Sequence, residues 1–203
     1  MVGKKIDGIE VSNEVKNILK NAVEKLKSEN VIPCLATILV GDNPASATYV
    51  KNKHKACEVI GIKTKDYKLS AETTQKQLND VIAELNHDKA VHGILVQLPL
   101  PNQLDEFATV SSISPIKDVD GLTPQNMGLL SMGKSILKPC TPSGIMEMFY
   151  YYKIGIEGKS VVIINRSNLI GKPLYNLLLQ NNATVIHVIQ KPKISKGFAK
   201  MLT

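Results

Sequence analysis

The chain has no tryptophan and only 4% aromatic residues, too few for a surface that stacks unpaired nucleobases. Cysteine is scarce as well. Cys34, Cys57 and Cys140 are odd in number, far apart and in no C-x-x-C pair, which argues against a disulfide framework and a structural zinc site and fits reduced thiols. The four histidines, His54, His87, His92 and His187, show no H-E-x-x-H spacing, so no metal is expected. No apolar run approaches the roughly 18 residues needed to span a bilayer, and the start of the chain holds no secretory-type apolar segment. A cytoplasmic protein without membrane association is the expectation.

What is present is ordinary for a globular chain: 43% hydrophobic and 21% charged residues, enough to bury a core in one large or two modest domains. The formal charge of +7 is concentrated at one end. Four lysines and no acid lie in residues 191 to 203, and without them the excess falls to +3. With so few aromatics and no arginine cluster, nucleic acid is not an expected partner; a modest positive field suits a small anion equally well.

Apolar residues recurring at three and four from Val11 to Leu26 predict a helix over 10–29. Cys34 to Val40 is a nearly continuous apolar run ended by Gly41-Asp42-Asn43-Pro44, the pattern of a buried strand. A helix opening at Pro44 or Ser46 and stopped by Gly61, a strand over 62–69, a helix over 75–86 capped by Thr73 or Thr74, and a strand over 91–98 follow. Residues 111 to 140 are rich in Ser, Pro, Gly and Asp and read as a long functional loop and domain boundary. Thr141 as cap and Pro142 as first helical residue then open a helix to about Lys153. A second unit runs strand from Lys159, polar turn, helix 175–180 and strand 183–188, the opening of a nucleotide-binding fold whose sheet is expected to show an unpaired edge and an uncovered apolar face unless another chain or subunit completes it.

The fold class expected is therefore α/β: an N-terminal βαβ substrate domain with a parallel sheet over 1–140, then an incomplete Rossmann-like domain over 141–203.

Four constellations can carry chemistry. Tyr49 and Lys53, four apart, share a helix face; a lysine lifted out of solvent can take up protons near neutral pH, although an ordinary surface pair reads the same. Gln97 interrupts the apolar strand at its carboxyl end, where ligand sites of open α/β sheets lie, and its amide needs a ligand, Lys53 or backbone as partner. Asp118 and Asp120 share a face if extended, to bind a guanidine-like ring edge, to ligate a metal, which the lack of a further acid or His nearby in sequence disfavours, or merely to form Asx turns. Asn165-Arg166-Ser167 to Gly171, between a strand and a helix, can hold phosphate; Arg166 and Ser167 suit the 2′-phosphate of NADP, though a turn that merely happens to be polar is the bland reading.

Taken together, Ile38 to Ser46, Tyr49 to Cys57, Gly93 to Pro101, Lys117 to Gly121, Lys138 to Gly144 and Arg166 to Pro173 resemble the bifunctional methylenetetrahydrofolate dehydrogenase/cyclohydrolase family, known in bacteria as FolD. The resemblance implies a homodimeric enzyme of one-carbon metabolism, serving purine biosynthesis, that takes 5,10-methylenetetrahydrofolate through the methenyl form to 10-formyltetrahydrofolate with NADP. It implies Lys53 as the catalytic lysine, tuned by Gln97, with Tyr49 stacking on the folate and Asp120 anchoring the pterin. Val96, Leu98 and Pro99 would line the substrate side; Asn165, Arg166, Ser167, Gly171 and Thr141 would face the cofactor. Asn165 stands where the family usually has glycine. Beyond about His187 the sequence leaves the family pattern, so the expectation is a shortened chain with lost or weak dehydrogenase activity. A folate-binding remnant without turnover is the alternative, and a shikimate-type dehydrogenase a more distant one.

Overall fold

The computed structural model describes residues 5–188, so the basic ending at 191–203 lies outside the described residues. They form two compact units, one of residues 8–119 and one of residues 120–188 together with 5–7.

The first unit runs α1 (Gly8–Ser28), β1 (Cys34–Val40), α2 (Pro44–Ile60), β2 (Lys63–Leu69), α3 (Gln75–His87), β3 (Gly93–Val96) and α4 (Glu106–Ser111). The strands pair in parallel in the order β2-β1-β3, as βαβ crossovers require. The central strand β1 has neighbours on both edges, which explains its nearly continuous apolar run, interrupted at Thr37. The edge strand β2, Lys-Thr-Lys-Asp-Tyr-Lys-Leu, carries exposed lysines that discourage further pairing.

Ala36, Ile38, Leu78, Ile82 and Leu85 are fully buried between sheet and helices. Helix ends are specified locally. Asn43 accepts from the amides of Ala45 and Ser46 ahead of Pro44, and Gly61, at φ +85°, closes α2 in the left-handed conformation that suits glycine. Thr74, not Thr73, caps α3 and forms a reciprocal capping box with Gln77, a device worth about 1 kcal/mol. The Lys117 ammonium donates to the carbonyls of Leu85 and Asp88 at 2.9 and 2.8 Å, neutralising the carboxyl end of that helix.

The second unit contains α5 (Pro124–Ser131), α6 (Cys140–Tyr151), β4 (Ser160–Ile164), α7 (Gly171–Gln180) and β5 (Thr184–Val188). β4 and β5 pair in parallel, and Leu130, Met146, Ile163, Leu177, Leu178 and Ala183 form the core. Among the described residues β4 has one strand neighbour, and Ile164 is 63% exposed.

Four expectations need correction. The stretch 111 to 140 is not one long loop: it holds α5, started by Thr123 and Pro124, with Leu130 fully buried. Eight residues make barely two turns, too few for periodicity to stand out against the Gly, Pro and Asn content. α6 begins at Cys140 rather than after Thr141, with Pro139 at the cap and Pro142 still in the first turn, where its missing N–H leaves no gap. α7 begins at Gly171 rather than Tyr175, and β3 spans four residues rather than eight.

Candidate active site

β1, β2 and β3 run in parallel, so their carboxyl ends and following loops converge. Gly41 sits where these loops meet: its φ is +78°, and a Cβ built on it would lie 3.5 Å from Ala71 and 3.8 Å from Pro101. From this corner α2 turns back over the sheet with an inner stripe of buried Ser46, Val50, Cys57 and Ile60. Lys53 falls in that stripe between Val50 and Cys57 and is half-buried. Its side chain is thus partly covered by the protein rather than wholly in solvent. The charge is felt inside: burial pushes the Cys57 thiol above its ordinary range, Asp66 pushes the same way, and Lys53 pulls it down. One turn earlier Tyr49 is 63% exposed, so its ring is no core residue and offers a flat apolar face to solvent.

Gln97 follows β3, and its backbone N–H donates to the carbonyl of Ile38 at 2.9 Å. Its side-chain amide nitrogen donates to the Leu98 carbonyl at 2.7 Å, which accounts for half of the group. The other half is an orphan: Gln97 Oε1 is buried with no hydrogen-bond partner among the described residues. Leaving such an acceptor unmet costs about 1–3 kcal/mol, so a donor brought against it is favoured. Around it Val96 is buried, Leu98 packs on the core and Pro99 is exposed.

The two acids of Lys117-Asp-Val-Asp-Gly121 are not equivalent. Asp118 is 1% exposed and pairs through its backbone with Ile94, whereas Asp120 belongs to the second unit, half-buried, with Oδ1 3.6 Å from Cys140 Sγ. Only Asp120 retains the exposure a ligand contact needs.

In the second unit the turn from β4 to α7 is tied by its own polar groups. Asn165 Oδ1 accepts from Ser167 N at 2.8 Å, Ser167 Oγ accepts from Ile170 N at 3.0 Å, and the His187 ring meets the Asn165 carbonyl. Gly171 is required here, since a Cβ would lie 2.0 Å from that carbonyl oxygen. α7 starts with no side-chain cap, but the Lys172 amide donates to the Ser167 carbonyl at 3.1 Å and Pro173 has no N–H, so what an anion would meet there is the positive helix end rather than a row of free amides; Arg166 is exposed beside it. Thr141 is exposed in the first turn of α6.

A polar cluster escaped the sequence reading: Thr37 on β1, His54 on α2 and Asp66 on β2 meet at 2.7 to 3.1 Å. Each looks unremarkable alone; the one hint was a threonine inside an apolar strand.

The family model described as tetrahydrofolate dehydrogenase/cyclohydrolase, catalytic domain, matches residues 6–120, and the corresponding NAD(P)-binding domain matches residues 139–200. A curated relative, the bifunctional protein FolD of Nitrosopumilus maritimus, is 68% identical over 186 residues, covering 92% of this chain. The chain spans 65% of that relative's length. Among solved structures, the bifunctional FolD enzyme of Campylobacter jejuni is similar with a TM-score of 0.91 at 48% identity, over 93% of this chain and 67% of that one. The Trypanosoma brucei dehydrogenase-cyclohydrolase, solved with NADP cofactor and an inhibitor, gives a TM-score of 0.90 at 35% identity, over 95% and 66%.

Proposed function

Because the chain belongs to the tetrahydrofolate dehydrogenase/cyclohydrolase family, we propose that it oxidises 5,10-methylenetetrahydrofolate to the methenyl form with NADP and hydrolyses that product to 10-formyltetrahydrofolate. Residues 1–140 are then the folate-binding catalytic domain and 141–203 the NADP-binding part.

The observation that carries this reading is the orphan acceptor of Gln97 in the same unit as the half-buried Lys53. α2 reaches β1 at Thr37, through His54, while Gln97 reaches it at Ile38, the next residue along the strand. An ammonium or amine N–H is the donor that Oε1 lacks, and Gln97 would thereby fix the lysine. In hydrolysis, water adds to the electron-poor methenyl carbon, its proton passes to the Lys53 amine, and the carbon–N5 bond breaks as N5 regains a proton, leaving the formyl group on N10. Tyr49 offers its exposed ring to the aminobenzoate, Asp120 accepts from the pterin, and Val96, Leu98 and Pro99 form the wall.

Bound NADP supplies the hydride acceptor for the first reaction. The positive start of α7, the close-packed Gly171 and the exposed Arg166 fit a dinucleotide phosphate there, with Ser167 and Asn165 shaping the turn and Thr141 bordering the nicotinamide. A homodimer in the cytoplasm, acting on tetrahydrofolate derivatives, completes the proposal.

The test is hydrolysis of methenyltetrahydrofolate and NADP-dependent formation of it, with titration of a folate analogue, in the full chain and in Lys53→Met. Hydrolysis is expected to fall about 10²–10⁴-fold with analogue binding retained. Analogue binding without any lysine-dependent hydrolysis would sink the enzymatic reading in favour of a binding module.

A further inference from the structure

We propose that His54 is a positioning residue for Lys53, clamping the middle of α2 to two strands; the inference rests on Lys53 as the reacting amine. The imidazole Nε2 lies 2.8 Å from Asp66 Oδ1 on β2 and 3.1 Å from Thr37 Oγ1 on β1. The Thr37 hydroxyl donates to the same Asp66 oxygen at 2.7 Å, and the two residues are register partners across the β1–β2 ladder. Three elements are thus joined at one point, with Thr37 1% exposed and the His54 side chain 24% exposed. The Asp66 side chain is 53% exposed, so it is the burial of Thr37 and the carboxylate as acceptor that lift these contacts above an ordinary surface pair.

The chemistry of the cluster is that of a clamp. In a nucleophile–histidine–acid relay, hydroxyl and carboxylate occupy opposite ring nitrogens. Here both face Nε2, and the threonine proton already goes to Asp66, so no proton can be relayed from one to the other through the ring.

The rest of the inner stripe of α2 is Ser46, Val50, Cys57 and Ile60, small or apolar side chains whose packing is non-directional, whereas the His54 contacts are directional. One residue of helix corresponds to about 1.5 Å and a large change of direction, and misplacement of about 1 Å is costly for a reacting group. A directional anchor on the residue next to Lys53 sets the azimuth at which the amine leaves the helix.

Competitive labelling with trace acetic anhydride, read by peptide mass spectrometry on the full chain, tests this without folate or nucleotide. Lys51 and Lys55, both exposed on the same helix, serve as internal references. In the wild type Lys53 labels more slowly than either. In His54→Ala its rate relative to them rises roughly tenfold, what losing a hydrogen bond to a charged group is worth. In His54→Gln, whose amide nitrogen reaches about as far as Nε2, it stays near the wild-type ratio, and Thr37→Val falls between. An unchanged ratio in His54→Ala, or equal behaviour of the Ala and Gln variants, overturns the clamp. Should His54→Ala not fold, a wild-type ratio in Thr37→Val does so.

Hydrolysis supplies the second reading: kcat falls in His54→Ala with KM for the methenyl substrate unchanged and is restored in His54→Gln. A chain that hydrolyses nothing yet shows the labelling pattern refutes the enzymatic reading and leaves the clamp standing.

Discussion

β1 and β4 are both short parallel strands rich in branched apolar residues, yet β1 is buried on both faces, whereas β4 buries Ile163 on one face and exposes Val162 and Ile164 on the other. In Cys-Leu-Ala-Thr-Ile-Leu-Val, flanked by β2 and β3, Ala36 and Ile38 have no exposure at all; in Ser-Val-Val-Ile-Ile, paired with β5 among the described residues, Val162 is 36% and Ile164 63% exposed. The difference lies in the neighbours. Apolar branching makes a strand, but the number of layers and strands around it decides whether its side chains contribute about 1.5–3 kcal/mol each or almost nothing.

The strongest way to sharpen this contrast is Ile38→Ala. It should cost about 2–5 kcal/mol in chemical denaturation, because a fully buried side chain leaves a cavity between sheet and helices. Hydrogen exchange should place the loss on the amides of β1, β2 and β3; an effect under the measurement error would show that this core is loosely packed.

Next comes Gly171→Ala in the second unit. The new methyl would sit 2.0 Å from the Asn165 carbonyl oxygen, so the turn must move, at about 1–3 kcal/mol. NADP affinity should drop while binding of a folate analogue holds; equal losses of both would contradict the separation of roles between the regions.

Ile164→Thr should change stability by no more than about 0.5 kcal/mol, since the side chain is already mostly in water. A loss as large as that of Ile38→Ala would mean that this strand is covered in solution.

The smallest effect belongs to the exposed pair of Lys65 and Asp88, 2.6 Å apart. The hydrogen bond between them raises the lysine above its ordinary value, and the same bond, helped by the Ala90 amide, lowers the aspartate. The lowered carboxyl contributes stability above the ordinary carboxylate range, lost as pH falls through its depressed value. The raised amine contributes below the ordinary lysine range, lost as pH rises through its elevated value. Lys65→Met should therefore cost slightly at neutral pH and nothing in strong acid, as thermal unfolding across pH would show. A cost that persists in acid would assign the effect to packing.

Much of the first unit was legible. The bounds of β1 matched the apolar run, and the stop of α2 followed from the glycine needed at Gly61. α4 and α5 were not, because six and eight residues carry too little period to read. Lys53 and Tyr49 could be paired from spacing alone. That Lys53 joins the buried stripe while Tyr49 stands exposed depends on how α2 is rolled against the sheet, and that Asp118 is buried while Asp120 is not depends on the bridge to Ile94.

By itself the sequence determined what is local: which segments curl or extend, where caps and glycines end them, and which reactive side chains share a helix face. Tertiary structure alone decided that Thr37, His54 and Asp66 meet and that Gln97 keeps an unmet acceptor. The reason is that parallel pairing joins residues tens of positions apart through intervening helices, and no short-range periodicity encodes which of them come opposite one another.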